Sequence, residues 1–264
     1  MTTTHADPVK YSLPIGDANL DINALLGQPL KLRHTGNIYC VHCQKKTSKS
    51  FNQGYCYPCF IRLAECDLCI MKPEICHYAA GTCREPQWGE TFCFQPHIIY
   101  LANSSGIKVG ITRKTQLPTR WIDQGAIQAL PLFEVDSRYI SGLVEVSLAN
   151  YVSDKTSWQQ MLKNKVESLD LPTLRDELLA KSAEHLLEIK RQFGESAMRY
   201  LHEAESLKIN FPVLEYPAKI KSLSFDKDPS VQGVLQGIKG QYLLLDTGVI
   251  NIRKFAGYEI ELDC

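Results

Sequence analysis

Nine of the ten cysteines fall between Cys40 and Cys93. Four of them, Cys40, Cys43, Cys56 and Cys59, read C-x2-C-x12-C-x2-C. Two short knuckles at that spacing offer four soft, anionic thiolates, the set that closes a tetrahedron around zinc. Cys66, Cys69, Cys83 and Cys93 are the expected second set, with Cys76 or His77 as a replacement for one of them. Whether two such sites follow each other along the chain or interleave stays open. A closed four-thiolate site has no position left for a substrate, and no H-x-E…P-C-x-x-C pattern accompanies these cysteines. The expected role of two zinc ions is therefore structural. An odd number of clustered cysteines fits disulfide pairing poorly, and a reducing compartment favours metal thiolates.

The elements that carry these residues divide the 264-residue chain into five parts. Residues 1–36 read as an irregular lead-in with a strand near GQPLKLR. Residues 37–95 form the cysteine-rich module, a zinc-ribbon-like unit that depends on metal to fold. Residues 96–162 read as a small α/β unit. HIIYLA and IKVGIT are strands joined by the turn-forming NSSG. A helix follows from Pro118 through TRWIDQGA, then a strand at LPLFEVDSR and a helix across SGLVEVSLANYV. Residues 163–210 are a helical segment. Its clearest stretch, 173–207, opens on Thr173 and Asp176 as a capping box and carries apolar residues at helical spacing. Gly194 marks a weakened or bent point in it. Residues 211–264 read as all-β, with YLLLDTGVINIRKF a hairpin turning at Asp246-Thr247-Gly248, and spaced glycines implying a small β-barrel. The expected class is α+β.

Net charge is zero, but the charge is unevenly spread. Residues 31–53 carry Lys31, Arg33, Lys45, Lys46 and Lys49 with no acid, and residues 105–133 carry Lys108, Arg113, Lys114 and Arg120 against Asp123 alone. Residues 134–205 hold 13 acids against nine bases. Basic stretches of this kind attract phosphate backbones, so Lys31, Arg33, Lys45, Lys46, Lys49, Arg113 and Lys114 are candidate nucleic-acid contacts. The acidic helical region is a candidate surface for a protein partner. No apolar run is long enough to span a bilayer, and MTTTHADPVKYSLP lacks an apolar signal core. A cytoplasmic protein without a membrane partner is expected.

Tyr100, Lys108, Gly110 and Arg120 fall on two strands and the helix after them. In that order the chain resembles the GIY-YIG nuclease superfamily over residues 97–150. Tyr100 matches the tyrosine of the first motif, Gly110 the glycine of the second, and Arg120 the arginine of the following helix. Two positions depart from the pattern: Ile98-Ile99-Tyr100 replaces Gly-Ile-Tyr, and Lys108 stands where the second tyrosine is usual. Glu145 matches the later helical glutamate that binds the metal. The resemblance implies a metal-dependent endonuclease for DNA or RNA, with Tyr100, Lys108, Arg120 and Glu145 catalytic and Mg²⁺ or Mn²⁺ on Glu145. The altered motifs keep a non-catalytic nucleic-acid or ribonucleoprotein binding protein as the alternative. The whole chain, with its cysteine module, KVGITR and RWIDQGA, also resembles a bacterial and archaeal conserved family of unknown function.

Overall fold

The computed structural model describes residues 1–152 and 156–264. Strands β1 (Thr2–Thr4), β2 (Lys10–Ile15) and β3 (Ala18–Asp21) make an antiparallel meander. Asn23 pins it from below, accepting from the Tyr11 N–H at 2.8 Å and donating to the Val9 carbonyl at 2.9 Å. Strand β4 (Pro29–Tyr39) then runs into the cysteine segment, where β5 (Lys46–Thr47) pairs with its end. Helices α1 (Tyr57–Arg62) and α2 (Pro86–Phe92) each begin with a proline in the first turn, where a missing N–H costs no hydrogen bond. Short 3-10 turns at 64–66, 68–70 and 73–75 fill the space between them.

The α/β unit follows the expected order. Strands β6 (His97–Asn103) and β7 (Ile107–Arg113) form a hairpin, followed by α3 (Thr119–Asp123), β8 (Gln128–Val135) and α4 (Arg138–Ala149). Helices α5 (Trp158–Leu162) and α6 (Leu171–Phe193) come next, then β9 (Met198–Tyr200) and β10 (Leu207–Lys208). The sheet order is β10-β8-β6-β7, all antiparallel, with β9 also on β8. Every residue of β6 is buried, because its two faces enter different cores. Ile98, Tyr100 and Ala102 pack with Val9, Tyr11, Trp121 and the C-terminal sheet. Ile99 and Leu101 pack with Val144 and Leu148 of α4 and Leu178 and Leu186 of α6. Fully burying an aliphatic side chain contributes about 1.5–3 kcal/mol, so this one strand is a large share of what joins the layers.

The C-terminal region corrects the expected barrel. Strands β11 (Ser230–Lys239), β12 (Tyr242–Leu245), β13 (Gly248–Asn251) and β14 (Tyr258–Asp263) join β4 in an open sheet ordered β13-β12-β11-β4-β14. Among the described residues β13 and β14 end this order, β5 also pairs with β4 off it, and no barrel closes. The reason is that the lead-in strand β4 separates β11 from β14. The hairpin at Asp246–Gly248 forms as expected. The long helix is shorter than its periodicity implies. Asp170, not Thr173, caps it, accepting from the Thr173 N–H at 3.2 Å. It ends at Phe193, and Gly194 at φ +94° terminates it rather than bending it. Ala197 and Tyr200 lie in the turn and strand beyond. No helix of the described residues is long and apolar enough to cross a membrane.

Gly142 is where the cysteine segment meets the α/β unit. A Cβ there would lie 2.6 Å from the Glu74 backbone nitrogen and 2.7 Å from Pro73 Cβ. Backbone cannot yield cheaply, so Gly142→Ala is expected to lower stability by about 1–3 kcal/mol despite the better helix propensity of alanine. Denaturant unfolding measures the loss, and limited proteolysis should show new cleavage near residues 68–76. An unchanged midpoint and digestion pattern would rule out the close approach.

Candidate functional site

The first cysteine set converges. The sulfurs of Cys40, Cys43, Cys56 and Cys59 all lie within 4.8 Å of one another, and the Cys43 and Cys56 sulfurs are 3.8 Å apart. Cys40 and Cys59 are buried. Burial resists ionisation of Cys40, but the backbone N–H groups of Cys43, Cys56 and His42 aim at its sulfur and bring the thiol down to about 6. Burial pushes Cys59 up to about 12, with the neighbouring sulfurs adding to the effect. A buried nest of N–H donors around sulfur is suited to thiolates neutralised by a cation, and these four residues fit one zinc ion.

The remaining cysteines are arranged differently from the expected second set. Cys66 packs into the same cluster as Cys40, Cys56 and Cys59. Cys69 gathers with Asp67 and His77, whose ligand atoms lie within 4.8 Å of one another. Asp67 is already engaged: it accepts from the Cys69 N–H at 3.1 Å and from Arg84 Nε at 2.7 Å. Burial, then Asp67, raises the Cys69 thiol to about 12, and Cys76 and Cys93 also raise it. Burial raises Cys93, with Cys76 and Cys83 contributing.

A second constellation lies past the cysteines. A cleft of about 510 Å³ is lined by Lys108, Arg113, Arg120, Arg138 and Glu145. Each comes from a definable place: Lys108 and Arg113 from β7, Arg120 from α3, and Arg138 and Glu145 from α4. One wall is Ile70, Met71 and Pro73 of the cysteine segment, and Arg253 enters from the C-terminal sheet region. Arg138 donates to the Ile70 carbonyl, fixing that wall to α4. Burial drives the Glu145 carboxyl up to about 7; Arg138, Arg120 and Lys108 oppose the rise and Glu74 adds to it.

Tyr100 does not line this cleft. It is fully buried beneath Gly110, its partner across the β6–β7 pairing. A Cβ on residue 110 would sit 2.7 Å from Tyr100 Cζ and 2.8 Å from its hydroxyl, so only glycine lets the ring lie flat across the neighbouring strand. The hydroxyl donates to Gln124 Oε1 at 3.2 Å, and the ring meets Trp121 edge-on at 5.8 Å. Burial raises the phenol above its ordinary value, against the pull of Arg120 and Gln124. Gln124 itself lines the cleft, so Tyr100 reaches it through one hydrogen bond.

Over residues 27–260 the chain matches the family described as a protein of unknown function (DUF2797). It belongs to that family. No curated protein matches the chain, and no solved structure does. The match bears out the expected membership of a family without a stated activity, and it spans the cysteine segment, the cleft and most of the C-terminal sheet.

In this DUF2797 chain the basic residues are distributed unevenly about the cleft. Arg113 lines it and lies over the Phe92 ring at 5.1 Å. Lys114 turns aside to Glu134 at 2.9 Å. Arg33 pairs with Glu261, and Lys31 stands opposite Asp263 in the β4–β14 register. The acid-free run in sequence is thus offset by acids on β14. Lys45, Lys46 and Lys49 are exposed on the cysteine module. Arg138, Gln124, Arg253 and Glu74 were invisible to motif reading. The one local signal was for Arg138, a cation that opens the helix carrying the candidate acid Glu145 two turns later.

Two outcomes are expected. Cys56→Ser should lower the zinc content by about one ion per chain and weaken the fold of the module, as metal analysis and thermal unfolding will show. Glu145 has a folded pKa near 7, above its ordinary value of 4.5, so between these limits the folded protein holds a proton the unfolded chain has lost. Stability without added divalent ion should therefore fall as pH rises through that window. Glu145→Gln should melt higher than the parent at about pH 8, the gap closing toward about pH 4.5. A gap independent of pH would refute the assignment.

Proposed function

We propose that this DUF2797 chain is a metal-dependent endonuclease that cleaves phosphodiester bonds of DNA or RNA at the Lys108–Arg120–Glu145 cleft, in the manner of the GIY-YIG superfamily it resembles. The observation that carries the reading is that those three residues, drawn from a strand and two helices, line one cleft together with Arg113 and Arg138. Cationic side chains in a recess suit a phosphodiester, whose charge grows toward the transition state.

The roles follow from chemistry. The planar guanidinium of Arg120 braces two nonbridging oxygens through parallel hydrogen bonds, and Arg113 holds a neighbouring phosphate. Lys108 adds positive charge beside the attacking water. Glu145 would hold a divalent ion, with Glu74, whose charge reaches it, as a further carboxylate; such an ion would supply positive charge for the leaving oxygen. The donor set fits, because hard oxygen ligands suit Mg²⁺ or Mn²⁺ and a carboxylate kept from ionising by burial regains its charge beside a cation. Tyr100, enclosed and protonated, acts through Gln124 rather than by removing a proton from water. Zinc stays structural, and a second ion would draw on Cys69, whose sulfur gathers with the ligand atoms of Asp67 and His77, with Cys76, Cys83 and Cys93 as the further thiols whose charges act in this region.

The enclosed Tyr100 also favours a second reading, a phosphate-binding cleft without turnover. One assay separates the two. Single-stranded, duplex and branched DNA and RNA are incubated with the zinc-loaded protein and Mg²⁺ or Mn²⁺. Arg120→Ala and Glu145→Ala are expected each to lower cleavage about 10²–10³-fold. Cleavage that both variants retain would belong to a contaminant. Salt-dependent binding with no cleavage under any metal would establish the second reading instead.

A further inference from the structure

A second cavity, of about 540 Å³, adjoins the cleft. It lies between the β2–β3 turn and the stretch from Ile252 to Leu262. Asp123 and Arg253 line both spaces, so the two share a wall. Asp123 is fixed there: it accepts from Gln241 Nε2 at 2.7 Å and faces Arg253 Nη1 at 3.5 Å. On one side of this wall are Lys108, Arg113, Arg120 and Arg138. On the other, Arg253 and the Met1 amino group stand against the acids Asp123 and Glu259. The second cavity therefore has no surplus of positive charge to draw a phosphate, whereas the first does.

What the second cavity offers is flat apolar surface. Phe255 meets Phe225 at 4.8 Å and Tyr258 at 5.2 Å, both edge-on, and Leu13, Ile252 and Ile260 are among the aliphatic residues that line the cavity with them. Gln241 lines it too; its Nε2 is engaged by Asp123, which leaves the carboxamide oxygen as the acceptor it can present to a base. The volume lies within the range of sites that enclose a small planar ligand. A polymer that alternates charged links with flat, apolar, polar-edged units matches this alternation of spaces.

We propose that this cavity receives an unpaired nucleobase of the same strand whose phosphate lies in the cleft. Asp123 and Arg253 then stand at the sugar between them. This rests on the phosphodiesterase reading and narrows it to single-stranded or extruded nucleotides, since a base stacked and paired within a duplex cannot enter a side cavity.

The test uses the full zinc-loaded chain without added divalent ion, and fluorescence anisotropy of two labelled ligands. One is a short oligothymidylate; the other is an abasic deoxyribose–phosphate chain of equal length and charge. The parent protein should bind the oligothymidylate about tenfold more tightly. Ile260→Trp, which fills the cavity from a half-buried position, should remove that advantage and leave abasic binding unchanged, which also shows that the variant is folded. Equal binding of the two ligands by the parent, or equal weakening of both by Ile260→Trp, would overturn the base pocket. If the abasic chain binds and salt releases it, the phosphate cleft survives that result. If neither ligand binds in a salt-dependent way, the cleft reading and the base pocket fail together.

Discussion

The structure depends on a strand with no solvent face. Each residue of β6 is buried, and its alternation sends Ile98, Tyr100 and Ala102 into one core and Ile99 and Leu101 into the other. A one-residue slip would exchange the two sets and drive the Tyr100 ring toward α4. Register is therefore tightly specified, and with it the pairing of Tyr100 and Gly110. That pairing fixes the cleft floor. The ring covers the glycine, the hydroxyl holds Gln124, and Trp121 closes the edge of the ring. The residue that a motif reader takes for a catalyst is thus first a packing element.

Electrostatics in the cleft follow from the same enclosure. Glu145 faces several cations yet its carboxyl is raised, because burial outweighs their attraction. Cations in water would have had the opposite effect. The balance is sensitive to any added positive charge: a divalent ion would favour the carboxylate more here than at an exposed site, since less water competes. Arg138 pays the matching cost on the cationic side, with burial lowering it and its Nε lacking a hydrogen-bond partner among the described residues.

Local pattern made much of this legible. The β6–β7 hairpin, the helices that follow, the turn at Asp246–Gly248 and the first four-cysteine set all rest on short-range signals, and they formed as read. What escaped was set by distant partners. Nothing near β4 announces that it will lie between β11 and β14, and that insertion turned an expected barrel into an open sheet. Apolar periodicity continued past Gly194, but tertiary pairing of 198–200 with β8 took those residues into a strand. Cleft members Gln124, Arg138 and Arg253 are ordinary polar residues in sequence; only folding brings them to one cleft. The cysteines beyond Cys59 were ambiguous because several spacings allow tetrahedral sets, and sequence alone did not send Cys66 to the first cluster.

The cysteine segment also belongs to the cleft physically. Its 3-10 turn at 73–75 sits against Gly142, one turn of helix from Glu145, and its Ile70 carbonyl accepts from Arg138. A segment with so few buried aliphatic residues does not hold this position by hydrophobic packing alone: Arg84 ties it together through Asp67 and the Phe60 and Leu63 carbonyls, and four thiolates on one metal ion would add to that rigidity. Zinc held by the four-cysteine set would stiffen the chain that leads into this wall. The wall in turn encloses Glu145, and that enclosure sets how strongly the carboxylate and its cations interact.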